Sequence, residues 1–455
     1  MKVVSSASKA MAAISLLWFG SLAGAGLAFI TQVVLARELT PAGYGFFTAA
    51  LTTVTLLVPL AGFGVQGFWL KAFGEEGWGA VRWLSPSFRF VILSTAVVLL
   101  LFVGWATIGL HDASFRRLLY WLLPVVAGQM FIELLSGKLQ LEERYKALAL
   151  WQLLPHLARL LLVLVVVFNS SGQVRTDIIA AAYALVALAI IISGFPQLQA
   201  MAQGRFTLKG YPKLSGTESV APAMARPFVR VSDIARQAWP FGLSGVFYLM
   251  YFQSAVILLK YLAGDEAAGI YNVAFIFMAV VYLLPGAIYQ KFLLPKFHRW
   301  ANHDRARFLE VYRVGNGSML LLGVLTAGAM LLLVPWIIPF LFGEVYQEAV
   351  GLLEILTFCT PVRFLAIGLG ATLVTQEHMQ RKIGYMGTVA VVNVLLNLLL
   401  IPLYGAQGAA VSTLLSEITL LALYLLAVRR HVFGSDAWRG WNIGVKKNSG
   451  VSDND

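Results

Sequence analysis

The sequence predicts an all-α polytopic membrane protein, with about twelve transmembrane helices in two related halves of six. Three observations predict it. Apolar residues make up 59% of the chain and charged residues 12%, against about 25% charged in soluble domains, and mean hydropathy is +0.77. Apolar runs of about twenty residues recur along the chain, the length at which a helix crosses ~30 Å of hydrocarbon. The third observation is an internal repeat. LARELTPAGYGFFTAAL, residues 35–51, ends one apolar run, turns and starts another, and the layout returns as LLKYLAGDEAAGIYNVAFIF from Leu258. An offset of 224 residues pairs Leu35 with Leu259 and Gly45 with Gly269, sets Pro41 against Asp265, and leaves Arg37 one place past Lys260.

Taken in order, the first run follows Lys2 and Lys9 as a signal peptide would, but it continues to about Ala36. That is too long for a signal-peptide core, so it is read as a membrane helix. The spans fall near 10–36, 43–70, 88–109, 118–141, 147–168 and 177–200, then 238–262, 268–294, 316–342, 349–375, 383–402 and 408–429. Proline interrupts many of them, at Pro59, Pro124, Pro155, Pro285, Pro335 and Pro361. Such kinks are tolerated in a bilayer because neighbouring helices satisfy the freed backbone groups. The expected organisation is an N-terminal six-helix lobe (1–201), a basic cytoplasmic linker (202–237), a C-terminal six-helix lobe (238–430) and a cytoplasmic tail (431–455). The linker carries Pro212, Pro222 and Pro227 among Arg205, Lys209, Lys213, Arg226 and Arg230, a composition suited to lying on anionic lipid.

Orientation follows from the basic residues. With the N-terminus inside, 27 Lys and Arg fall in cytoplasmic segments and 5 in outer ones, a strong positive-inside bias that puts both termini in the cytoplasm. The net charge of +12 therefore directs insertion, and no nucleic-acid partner is expected. Cys359, the single cysteine, excludes an internal disulfide and a cysteine-based metal cluster. No metal or cofactor is expected.

Ionisable groups inside the spans are the candidates for function, because they are costly in hydrocarbon and face a bundle interior or a wet cavity. Arg159 lies mid-span on a helical face with Gln152, Pro155 and His156. The preceding span has a stripe of Gln129, Glu133, Ser136 and Gln140, and an ion pair between Glu133 and Arg159 is expected. Arg363 lies a dozen residues from either end of its span, beyond the reach of snorkelling, with Thr360 one turn before it. Arg37 and Lys260 sit at outer span ends, and Lys71, Lys291 and Lys296 at inner ones, where snorkelling is the default. Glu38, Glu133, Asp265, Glu266, Glu354 and Glu417 are the carboxylates that could carry a proton or hold a sodium ion. Asp265 and Glu266 fall in a short outer turn, where solvation accounts for them. The stripes Thr48, Thr52, Thr55 with Pro59, and Asn393 with Asn397, read as helix-packing contacts. The chain has no GxxxxGK[ST], HExxH or GxSxG motif, so no enzyme is expected, and transport would use a gradient or run passively.

Three segments carry a family resemblance. LARELTPAGYGFFTAALTTVTLLVPLAGFGVQGFWLK resembles the opening of the Wzx-type flippases of the polysaccharide-exporter family. LFGEVYQEAVGLLEILTFCTPVRFLAIGLGATLVTQ from Leu341 is similar to a later part of that family, and NVLLNLLLIPLYGAQGAAVSTLLSE from Asn393 to its ending. The resemblance runs from about residue 10 to 430 and places the chain in the multidrug/oligosaccharidyl-lipid/polysaccharide exporter superfamily. It implies two pseudo-symmetric lobes in a V around a central cavity. It also implies movement of undecaprenyl-diphosphate-linked oligosaccharide from the cytoplasmic to the periplasmic leaflet of the bacterial inner membrane. The glycan would be an O-antigen, capsule or exopolysaccharide precursor. A polysaccharide polymerase and other assembly proteins are the partners it implies beside membrane lipid.

The family's cavity is cationic, and Arg159, Arg363, Arg37, Lys260 and Lys291 best match that role here, with Glu133, Glu38 and Asp265 as ion-coupling candidates. Arginine suits the task, since its fork of donors matches phosphate oxygens. Two alternatives stand beside this reading. A drug or small-molecule cation antiporter of the same superfamily would favour acidic cavity residues, and the two mid-span arginines speak against it. A membrane glycosyltransferase, polymerase or ligase, would use large outer loops, and none here exceeds about fifteen residues. A passive scaffold has little use for buried charge.

Overall fold

The computed structural model describes residues 2–170, 172–209, 229–286, 304–373 and 379–441. Among these residues the chain is helical nearly throughout and has no strand. Eight helical stretches are long and apolar enough to cross a membrane, or nine if the bent pair Glu348–Thr357 and Cys359–Thr372 is one span. Two of the eight, Pro41–Ile108 and Gln380–Trp438, hold 68 and 59 residues, each more than two crossings need.

The helices of the first part are α1 (Lys2–Glu38), α2 (Pro41–Thr55), α3 (Val58–Gly62), α4 (Val65–Glu76), α5 (Leu84–Ile108), α6 (Ala113–Leu141), α7 (Tyr145–Asn169) and α8 (Thr176–Ala202). After the linker follow α9 (Val231–Leu262), α10 (Asp265–Val281), α11 (Leu283–Gly286), α12 (Arg305–Phe342), α13 (Glu348–Thr357), α14 (Cys359–Thr372) and α15 (Met379–Val428). Linker positions Pro212, Lys213, Pro222, Arg226 and Pro227 lie outside the described residues, as do Lys291, Lys296 and positions 442–455.

Local chemistry sets the breaks. Thr40 caps α2 by accepting from the Gly43 amide, and Pro41 opens the helix, where its missing N–H costs nothing. Pro361 lacks the amide that would bond Thr357, and the axis bends 42° between α13 and α14. Inside α15 the chain doubles back at Gly405, whose φ of 56° only glycine takes readily, and Gly408 lies so close to the Leu400 carbonyl that a Cβ would sit 2.2 Å away.

α1 packs on α7, α6 on α8, and α2 on α6. Beyond the linker, α9 and α14 pack on α15, and α12 on α14. The two groups meet chiefly where α2 crosses α10. There the repeat becomes physical. A Cβ on Gly45 would fall 1.8 Å from the Asp265 carbonyl, and one on Gly269 would fall 2.1 Å from the Pro41 carbonyl. The contact is reciprocal, residue for residue, as across a two-fold axis. Without side chains at the crossing, the backbones approach closely. A second meeting lies further along, where Gly64 and Gly67 face Phe241 and Gly242 of α9, and Pro59 faces Gly245.

Candidate functional site: a cationic cavity beside Arg363

Arg363 sits in the second turn of α14, just past the bend, and points into a cavity of about 470 Å³ among α9, α14 and both arms of α15. Tyr248 and Tyr251 line one wall, Gly370 and Ala371 another, and Lys382 and Tyr424 a third. Rings surround the guanidinium, with its Cζ 5.7 Å from the centroid of Tyr251 and 5.5 Å from those of Phe252 and Tyr282. Such faces hold a cation in a dry site without neutralising it. Arg363 Nη1 donates to Glu417 Oε1 at 3.4 Å, with the two side chains 12% and 2% exposed. Arg363 Nε is buried without a hydrogen-bond partner, and the Tyr251 hydroxyl lies against the Glu417 carboxylate.

Lys382 is the second cation on the cavity wall, and no carboxylate pairs with it among the described residues. Positions 370 and 371 leave room for it, and a Cβ on Gly370 would lie 3.7 Å from Lys382 Nζ. In sequence Lys382 follows Arg381 at a span edge and is one of the 27 basic residues expected on the cytoplasmic side. The signal that finds it is its face, for Lys382, Met386 and Val389 follow at helical spacing and all line the cavity. Tyr248, Tyr251 and Tyr424 carry no signal in the sequence that separates them from other aromatic residues of membrane helices.

The other expected site residues do not join this cavity. Arg159 is held in the first half with its Cζ 5.1 Å from the Tyr183 ring and its Nε buried without a partner. It makes no ion pair with Glu133, contrary to expectation. Glu133 faces α3 instead, where a Cβ on Gly62 would lie 3.7 Å from its Oε2. The two residues sit on neighbouring helices, but their faces point to different partners. Arg37 is exposed and donates from Nε to the Leu341 carbonyl at 2.7 Å and from Nη2 to the Phe340 carbonyl, so it caps the C-terminus of α12. Lys260, 8% exposed, pairs with Asp265 at 2.6 Å and lies 4.0 Å from the Phe115 ring centroid and 4.8 Å from that of Phe46. It ties the α9–α10 turn to helices α2 and α6. Glu38 is exposed at the end of α1, and Glu354 is exposed on α13. Lys291 lies outside the described residues.

Asn393 is a packing contact between helices, as its stripe suggested, while among the described residues Asn397 donates only to Asn393 one turn before it. Asn393 accepts from Ser254 on α9 at 3.1 Å and donates to Ser416 at 3.0 Å, so the two arms of α15 and α9 are fastened by a buried network.

A family model described as polysaccharide biosynthesis protein matches residues 11–300, more than half of the chain. The chain belongs to this family. Within the curated proteins it is 24% identical over 399 residues to a probable flippase, AglR, of Haloferax volcanii, covering 85% of this chain and 76% of that one. Among solved structures it resembles the lipid II flippase MurJ in an inward closed conformation, with a TM-score of 0.67 at 13% identity, covering 91% of this chain and 87% of MurJ. It also resembles an inward-facing multidrug transporter of the MATE family, with a TM-score of 0.63 at 11% identity, covering 89% of this chain and 94% of that one. Family member and fold agree on a multi-pass membrane protein with the architecture of this exporter superfamily.

Proposed function

We propose that the protein is a flippase for undecaprenyl-diphosphate-linked oligosaccharide, moving it from the cytoplasmic to the periplasmic leaflet of a bacterial inner membrane for polysaccharide assembly. The observation that carries the proposal is the cavity beside Arg363. Among the described residues two cations, Arg363 and Lys382, line it or point into it, and one carboxylate, Glu417, pairs with Arg363. A net positive, ring-walled cavity among membrane helices suits an anionic head group and repels an organic cation. A diphosphate must cross ~30 Å of hydrocarbon, and arginine and tyrosine offer it the donors that water provides outside. The family's description, polysaccharide biosynthesis, and the name of the Haloferax relative, a probable flippase, support a flippase in polysaccharide assembly.

The two lobes, 1–201 and 238–430, would rock about the Gly45–Gly269 crossing, alternately opening to each side while the polyprenyl tail stays in lipid. The linker of 202–237 and both termini would face the cytoplasm, and a polymerase would receive the product. Arg159 would serve as a second contact along the path.

The test is flipping of a fluorescent lipid-linked oligosaccharide in proteoliposomes. Wild-type protein is expected to move it, Arg363→Ala to lose at least tenfold in rate, equivalent to ~1.4 kcal/mol, and Arg159→Ala to lose less. Folded protein of both variants that flips at the wild-type rate would discard the cationic path.

A further inference from the structure

Arg363 is not a free cation awaiting a ligand. Glu417 already occupies one arm of its fork, and the Tyr251 hydroxyl lies against the same carboxylate. The pair stands between two spaces. Arg363 faces the 470 Å³ cavity, and Glu417 lines a narrow void with Tyr251, Tyr282 and Thr413. The titratable and charged groups around Glu417 are Tyr251 on α9, Tyr282 at the end of α10, Cys359 and Arg363 on α14, and Lys382 and Tyr424 on α15. Among them Glu417 is the one carboxylate.

Counting charge exposes a mismatch. At rest, among the described residues, two cations and one carboxylate give the site a net charge of plus one. A sugar-capped polyprenyl diphosphate brings two fixed negative charges, one on each phosphate. With Glu417 ionised, the occupied site would hold one uncompensated negative charge at membrane depth, and a buried unpaired charge is the most costly arrangement available. Adding one proton to the carboxylate closes the balance.

We propose that Glu417 is a displaceable counter-anion: the substrate's diphosphate takes its place on Arg363, and the freed carboxylate takes up one proton. The proton comes from the bulk solution through the open cavity, an O–H bond forms on Glu417, and no bond of the substrate changes. Release runs in reverse, with the ionised carboxylate returning to Arg363 as the diphosphate leaves. This rests on the flippase reading and adds to it a coupling between substrate and proton at a named atom.

The experiment measures binding of a polyprenyl diphosphate capped with a single N-acetylhexosamine to the full-length protein in nanodiscs, across near-neutral pH. The probe's own phosphates do not titrate in that range. Wild-type Kd is expected to rise by up to about tenfold per pH unit, the slope of one-proton linkage. Glu417→Gln, which cannot release or take a proton, is expected to bind with a Kd that does not move with pH. Glu417→Asp keeps a titratable group and is expected to restore the slope, which guards against a Gln variant that merely folds badly. Lipid binding to wild type with a flat Kd, or a slope that persists in Glu417→Gln, overturns the coupling and leaves the flippase reading standing. Absence of binding to all three proteins overturns the substrate class and the coupling together.

Discussion

Arg363 and Glu417 each bury a charge that the other compensates, so removing either alone strands its partner. Arg363→Met is expected to destabilise the protein by about 3–5 kcal/mol, the cost of an orphaned buried carboxylate, read as a lower midpoint of thermal unfolding in detergent. The double variant Arg363→Met, Glu417→Leu is expected to recover most of that stability, because two apolar side chains of similar volume need no partner. A double variant no more stable than the single one would show that the pair is not the cause. Lys382→Met should leave the midpoint near that of wild type, since no carboxylate among the described residues pairs with it. Single residues were unevenly legible. Arg363 announced itself by lying a dozen residues from water in an apolar run. Lys382 did not, since it follows Arg381 at the edge of a span and only the packing of α15 against α14 turns it inward. Arg159 was legible as a buried cation but its partner was not: helical facing gave the stripe of Glu133, whereas the partner is the ring of Tyr183 on α8. Charge pairing across helices depends on rotation about each axis, which one-dimensional spacing does not specify.

The α2–α10 crossing belongs to the scale of elements. Gly45 and Gly269 were paired from the repeat alone, and the helices they lie on touch at those residues. Such a contact was legible because a repeat related by a two-fold places equivalent residues together on the axis. Gly45→Leu would drive a side chain into the Asp265 carbonyl, and a cost of about 1–3 kcal/mol is expected from overpacking, with α2 and α10 forced apart. Gly26→Ala is the control. Gly26 is exposed on α1, nothing lies within 4 Å of its Cβ position, and alanine there is expected to be neutral or up to about 1 kcal/mol stabilising. Equal losses of stability in the two variants would mean that helix propensity, not the crossing, sets the effect. The roles of Arg37 and Lys260 were less legible. Their outer-end positions make snorkelling the default and the family resemblance adds a substrate role, yet one caps α12 and the other is bound to Asp265 between two phenyl rings. Helix ends leave carbonyls unsatisfied, and a neighbouring helix from a distant part of the sequence can fill that need.

At the scale of the molecule, the first group of helices touches the second at two levels, the Gly45–Gly269 crossing and the α3–α9 contact about 21 Å further along by helical rise. A protein closed at both levels gives a head group no path between the halves, so at least one contact must part in each cycle. The α3–α9 contact is the better candidate, because the side chains of Phe241 and Pro59 share it with the backbone of Gly64 and Gly242, whereas the other crossing is backbone on backbone throughout. Pro59 and Gly245 offer a direct way to hold it shut. A Cβ on Gly245 would lie 3.1 Å from Pro59 Cβ, somewhat inside the ~3.5–4.5 Å at which disulfides form, a gap that a small helix shift supplies. The native Cys359 is buried and would not compete. Pro59→Cys with Gly245→Cys is expected to cross-link on oxidation and to stop flipping in proteoliposomes, and reductant is expected to restore it. Each single variant should flip under both conditions. Full flipping by fully cross-linked protein would place the moving joint elsewhere, at the Gly45–Gly269 crossing, and make the α3–α9 contact the fixed pivot about which the halves turn.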